Sequence, residues 1–279
     1  MAVETRLSPV IINGVVFEPK SRLHRLKLEA LMVFLEELLR SPVRSEIAKV
    51  ILFGSALEGD VGEESDIDLL VFGIRDRQAI RNMCAEAAFQ TGLRTGESVQ
   101  PLVYPLSRYY HPASFFMHRS ARRGKEVYSM EEKALKMALL EGKYGLASSY
   151  LRVARYVLAN GDYREAADLA YNAAEALVKG LLLIEMDALP KTHGGLVNRF
   201  GDLYARTGKV PAEWGRDLHL ALETRSRARY EEEATIARED ALAIIALAEK
   251  LIEYTARVRE ELQREGDDFP TRPEHGGSE

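Results

Sequence analysis

The chain has 279 residues, 46% of them hydrophobic, and its 38 Lys and Arg against 43 Asp and Glu leave a net charge of -5. That length suits one large or two ordinary globular domains, and the acidic balance excludes a global electrostatic pull toward nucleic acid. The one cysteine, Cys84, excludes an internal disulfide framework and a thiolate metal cluster. No run approaches the about 18 apolar residues of a membrane span, so a cytoplasmic protein with no membrane partner is expected.

In chain order, "VIINGVVF" alternates β-branched residues around Asn13-Gly14 and predicts a hairpin with a two-residue turn. A helix is expected over 20–41, ending before Pro42. "AKVILFG" (48–54) and "IDLLVFG" (67–73) read as two buried strands, and "RQAIRNMCAEAAFQTG" (77–92) as a helix stopped by Gly92 that carries Cys84 as a small apolar residue. "ESVQPLVYP" (97–105) reads as a third, interrupted strand, followed by a helix over 112–123 ending at Gly124 and an edge strand at "EVY". A small mixed sheet with helices on one side follows.

From Met130 onward the period is helical, with helices expected over 130–160, 162–186, 194–207, 212–230 and 233–262. Ala166, Leu169, Ala170, Ala173, Leu177, Leu181 and Ile184 share one face of the second, and its alanines allow close helix approach. The class is α+β: a small mixed sheet with helices, then an all-α bundle. The expected divisions are residues 1–129, 130–264 and a disordered polar tail over 265–279, "GDDFPTRPEHGGSE" included.

The segment "VILFGSALEGDVGEESDIDLLVFG" (50–73) carries the chemistry. Residues i and i+2 of a strand share a face, so Asp66 and Asp68 stand side by side while Ile67 turns into the core. Two such carboxylates repel unless protonated or bridged, and a hard cation such as Mg²⁺ relieves the strain. Gly54 lets a phosphate approach the backbone, and Ser55 offers a hydroxyl and an N–H at a helix start. A phosphate-binding strand end beside a metal-binding strand end is what phosphorus-centred group transfer requires.

Phe53-Gly54-Ser55, ten residues, then Asp66-Ile67-Asp68-Leu69 resembles the signature of the DNA polymerase β-like nucleotidyltransferase superfamily in its minimal form. The resemblance implies that Gly54 and Ser55 hold the β and γ phosphates of an NTP, with ATP expected. It implies that Asp66 and Asp68 coordinate Mg²⁺ or Mn²⁺. A third carboxylate on a later strand is part of that pattern, but Gln100 stands in the aligned place. Glu97, three residues earlier, faces the other side of an ideal strand and reaches the pair only if the strand bulges near Pro101. Ala56-Leu57-Glu58 also replaces the basic residue that small members often have after Gly-Ser.

The second half, about residues 135–260, resembles a HEPN domain through "EAADLAYNAAEALVKGLLL", Thr192-His193 and "LETRSRARYEEEATIAREDALAIIALAEKLI". Ribonuclease members follow an Arg with a His on the same helix. Here Tyr230 follows Arg225 after four residues, which argues against RNA cleavage. Arg225 otherwise reads as a surface cation near Glu223 or Glu231. His111 and His118, seven apart, read as ordinary histidines that could share a helix face, His193 as a helix-entry residue, and Arg119, Arg122, Arg123 and Lys125 as a solvated helix end. Tyr109, Tyr110, Phe115 and Phe116 read as core or interface aromatics.

The expected activity is transfer of an NMP from an NTP to a hydroxyl of a small molecule or a protein, the helical domain shaping the acceptor side and a homodimer. No nucleic-acid partner is expected. The alternative is a catalytically degenerate nucleotide-binding or regulatory dimer of toxin–antitoxin type. Related two-component pairs suggest Tyr230 as an adenylylation target.

Overall fold

A computed structural model of the chain describes residues 7–75, 77–186 and 188–267, the last three by backbone alone. The expected tail over 265–279 otherwise lies outside the described residues. The chain divides into two compact units between Leu135 and Lys136. That is six residues beyond the expected boundary, because the first bundle helix begins at Glu132 and its opening residues group with the first unit.

In the first unit, β1 (Val10–Ile12) and β2 (Val15–Phe17) pair antiparallel. Asn13 (φ 47°) and Gly14 (φ 82°) both take the left-handed conformation of a type I′ turn. Helix α1 (Arg22–Arg40) begins where the Ser21 hydroxyl accepts the His24 N–H, and its apolar stripe at Leu28, Leu31, Phe34, Leu35 and Leu38 is buried.

A four-stranded sheet in the order β5-β4-β3-β6 lies under it: β3 (Ile47–Phe53), β4 (Ile67–Gly73), β5 (Val99–Pro105) and β6 (Lys125–Ser129). β3 runs antiparallel to both neighbours, whereas β4 and β5 run parallel, joined across α3 (Arg77–Thr95). Helix α3 continues through Gly92 and stops before Gly96, whose φ of +76° and N–H bond to the Gly92 carbonyl make it the terminator.

Strand parity divides the sheet. Val50, Leu52, Ile67, Leu69, Val71, Val99 and Val103 form one core with α1 and α3, and Cys84 is buried there, its thiol pushed up to about 12 by burial. The opposite face carries Ile51, Phe53, Asp68, Leu70, Phe72, Gln100 and Tyr104, as the register pairs show. Helices are not confined to one side as expected. Between β5 and β6, α4 (Ser107–Tyr110) and α5 (Phe115–Arg123) bring Tyr109 edge-on to Phe72 and Phe116 edge-on to Phe53. Phe115 is nonetheless 79% exposed and is no core residue, and His111 caps α4 while His118 lies within α5, so the two share no helix face.

The second unit is a bundle of α6 (Glu132–Ala159), α7 (Tyr163–Glu185), α8 (His193–Phe200), α9 (Ala212–Tyr230) and α10 (Arg238–Asp267), with a π-helical turn over Gly201–Ala205 after α8. Helix α7 is buried nearly all round, not on one face, because α8, α9 and α10 all pack on it and its alanines let them close in. Helix α10 starts at Arg238, five residues later than expected. The preceding segment is held irregular by Arg164, whose guanidinium donates to the carbonyls of Ala228, Glu231, Glu232 and Ala234.

Candidate functional site

β3 ends at Phe53 directly opposite Asp68 in the antiparallel register. The chain then turns through Gly54 (φ +76°, ψ -158°) into the one-turn helix α2 (Ser55–Glu58), which closes on Gly59 in the left-handed conformation (φ 77°). A side chain at 54 has no room: an ideal Cβ would stand 2.3 Å from Oδ2 of Asp68. The Gly54 backbone therefore lies against the carboxylate.

Asp66 immediately precedes β4 and Asp68 is its second residue, and both are half-buried. Burial first, and the Asp66 carboxylate second, hold the Asp68 carboxyl above its ordinary value. An all-oxygen pair under mutual repulsion beside a bare backbone turn fits a hard divalent cation with phosphate oxygens as its other ligands. Among the described residues, no third His, Cys, Asp or Glu joins the pair as a metal ligand.

The parallel register runs from Ile67↔Val99 to Gly73↔Pro105 without a shift, so the bulge near Pro101 that Glu97 would need to reach the pair does not form. Gln100 lies opposite Asp68 on the same face. Glu97 is instead bonded to Lys27 of α1, Nζ to Oε2 at 2.6 Å, with the lysine side chain fully buried. The structure thus brings Gly54, Ser55, Asp66 and Asp68 to one end of the sheet and ties Glu97 to α1.

Two residues that the sequence reading passed over position these groups. Lys27 Nζ also donates to the Ser65 carbonyl at 2.6 Å, one residue before Asp66, so one buried cation ties α1 to the starts of β4 and β5. His24, buried beside α2, accepts the Lys20 N–H on Nδ1 at 3.1 Å, so its Nε2–H donates to the Ala56 carbonyl at 2.9 Å. A Cβ on Gly59 would meet Lys20 and His24 within 3.0 Å, so this glycine is what lets α1 grip the end of the Ser55 turn. The signal was present: His24 and Lys27 fall in register with the apolar stripe of α1, where a polar side chain must find a partner.

The bundle holds a second polar group of residues. Arg225, 4% exposed, lies between the rings of Tyr171 and Tyr230, 5.7 and 5.8 Å from their centres. Its carboxylate neighbour is Asp168, at 3.2 Å from Nε, and not Glu223 or Glu231 as a surface reading expected. The contact is not aligned as a hydrogen bond, and among the described residues Arg225 Nε and Asp168 Oδ1 have no hydrogen-bond partner. Further along α7, Glu175 is bonded to Lys179, His193 and Tyr171. Burial opposes its charge, but the Lys179 and His193 contacts outweigh it and hold the carboxyl below its ordinary value.

Comparison with known proteins was consistent with this layout. Residues 31–135 match the family model of a nucleotidyltransferase domain, and residues 144–260 that of a HEPN domain. A Methanocaldococcus jannaschii protein, named provisionally as a protein adenylyltransferase, is 42% identical over 55 residues, 20% of this chain. The match spans about half of that relative, 55% of its length. Among solved structures, a spectinomycin adenyltransferase from Enterococcus faecialis, crystallised with ATP and spectinomycin, is similar at 15% identity over 80% of this chain and 98% of that one. Its TM-score of 0.27 is too low to carry a structural argument. Residues 31–135 are therefore a nucleotidyltransferase domain and residues 144–260 a HEPN domain, fused in one polypeptide.

Proposed function

We propose that the first unit transfers an NMP from an NTP, ATP foremost, to a hydroxyl of a small molecule or a protein. The observation that carries this reading is the register pair Phe53↔Asp68, which sets the bare Gly54 backbone against the Asp68 carboxylate, itself under repulsion from Asp66. Ser55 and the Gly54 turn would hold the β and γ phosphates, and Asp66 and Asp68 would hold Mg²⁺ or Mn²⁺. That ion, when bound, supplies positive charge to the phosphate oxygens. The acceptor hydroxyl forms the new bond to the α phosphorus, the bond to the bridging oxygen breaks, and pyrophosphate leaves with that electron pair while the hydroxyl proton passes to solvent or base. In this reading Glu97 holds Lys27, and Lys27 in turn holds the Ser65–Asp66 segment.

A second reading is a nucleotide-binding regulatory dimer without turnover. It is favoured by Gln100, an amide facing Asp68 where a carboxylate base would stand. Tyr230, 73% exposed beside Arg225, is the candidate protein hydroxyl under the first reading, and an adenylyl adduct in the intact mass after incubation with ATP and Mg²⁺ separates it from the second.

The primary test is calorimetric titration of ATP, GTP, CTP and UTP with Mg²⁺ into the chain and into Asp66→Asn/Asp68→Asn. One NTP should bind the native chain and fail to bind the double variant. No NTP binding to the folded native chain would refute both readings.

A further inference from the structure

The Gly54 and Asp66/Asp68 groups occupy the amino end of β4. β4, α3 and β5 form a βαβ unit, and open sheets of this kind collect ligands outside the carboxyl ends of their parallel strands, where the following helix begins. Gly73, five residues beyond Asp68, marks that opposite end, about 17 Å away at ~3.3 Å per residue.

A cavity of about 580 Å³ opens there, lined by Arg77 and Arg81 of α3, Tyr104 of β5, Ser107 and Arg108 of α4, and Met117 of α5. The three arginines are exposed, and among the described residues their side chains make no ion pair or hydrogen bond. Some surface arginines elsewhere are matched with carboxylates, as Arg25 with Glu29, Arg94 with Glu37 and Arg155 with Glu249, and what sets these three apart is that they line one cavity. Three guanidinium groups around one cavity, on a chain of net charge -5, make a local positive potential that favours an anion there.

We propose that this cavity is a binding site for a small organic phosphate ester, separate from the Asp66/Asp68 site and independent of its function. Guanidinium forks match phosphoryl oxygens bidentately, and the Ser107 hydroxyl adds a donor. The Tyr104 ring and Met117 give the organic part an apolar wall. The volume lies within the ~300–1,000 Å³ typical of small-molecule sites, which favours a discrete ligand over a polymer.

AMP titrated calorimetrically into the full chain with EDTA tests the site, with inorganic phosphate and a single-stranded RNA 12-mer as parallel probes. AMP should bind the native chain and Asp66→Asn/Asp68→Asn alike, at least tenfold more weakly to Arg81→Glu/Arg108→Glu, and more tightly than inorganic phosphate does. The milder Arg81→Gln/Arg108→Gln pair should move in the same direction while its circular-dichroism melt stays native. Absence of AMP binding to the native chain overturns the proposal. So does binding lost in the Asn variant but kept in the Glu variant, which would put AMP at the strand's other end. Equal affinity for inorganic phosphate overturns the ester, and RNA binding without AMP binding would mark a polymer surface instead.

Discussion

Gly54 combines a backbone angle open to few side-chain-bearing residues with a neighbour that a methyl group cannot share space with, at φ +76° and 2.3 Å from Asp68 Oδ2. Gly54→Ala must either rotate the turn or displace the carboxylate. We expect it to cost about 1–3 kcal/mol of stability and to abolish Mg²⁺-dependent NTP binding, read by urea unfolding and by calorimetry. Lys27 offers a different kind of test, because its side chain is fully buried and its Glu97 partner is 13% exposed. Lys27→Met leaves Glu97 without its cation and should cost about 3–5 kcal/mol, whereas Lys27→Met/Glu97→Met removes both charges and should recover most of it. Equal instability of single and double variants would mean that the pair does not act as a unit.

Arg164 plays, at the level of elements, the part that a cap plays for a single helix. It donates to four carbonyls around the end of α9 and the segment before α10. Arg164→Ala would strip those acceptors together. Hydrogen exchange over residues 231–237 should then quicken at least tenfold while the α7 core stays protected, and unchanged exchange there would assign the segment's order to something else. The edge of the sheet shows sequence and element acting together. Ile67 N–H bonds to Ser98 O and Leu106 N–H to Gly73 O, so the parallel ladder turns the N–H groups of 99, 101, 103 and 105 outward. Proline at 101 and 105 deletes two of those donors, which guards the edge against another strand.

Over the whole molecule the two units should answer acid in opposite senses. Asp68 is held above its ordinary value, so its ionisation opposes folding. That penalty is absent below the unfolded value and grows as pH rises through the folded one. Glu175 is held below its ordinary value, so its contribution is present above the unfolded value and lost as pH falls through the folded one. Exchange measured from neutral pH down through the carboxylate range should show the bundle around α7 opening while the sheet around Asp68 holds, and a simultaneous loss of both would refute the assignment. Adding Mg²⁺ at neutral pH should raise the melting temperature of the native chain and leave that of Asp66→Asn/Asp68→Asn unmoved.

The amino-acid sequence by itself determined most of the elements and the motif that marks the candidate site. Alternation and turn chemistry mark β1 to β5, the change of period near residue 130 marks the bundle, and Gly54-Ser55 with Asp66-x-Asp68 reads at once because the i, i+2 spacing at a strand start keeps the two carboxylates close enough to interact. Only the tertiary structure decided what Glu97, Arg225 and α1 do. Glu97 has a partner 70 residues earlier, Arg225 one 57 residues earlier, and the polar residues of α1 find acceptors on α2 and at the head of β4. Burial makes such groups seek whichever opposite charge or open carbonyl lies nearest in space, and that nearness is a property of packing that local periodicity does not encode.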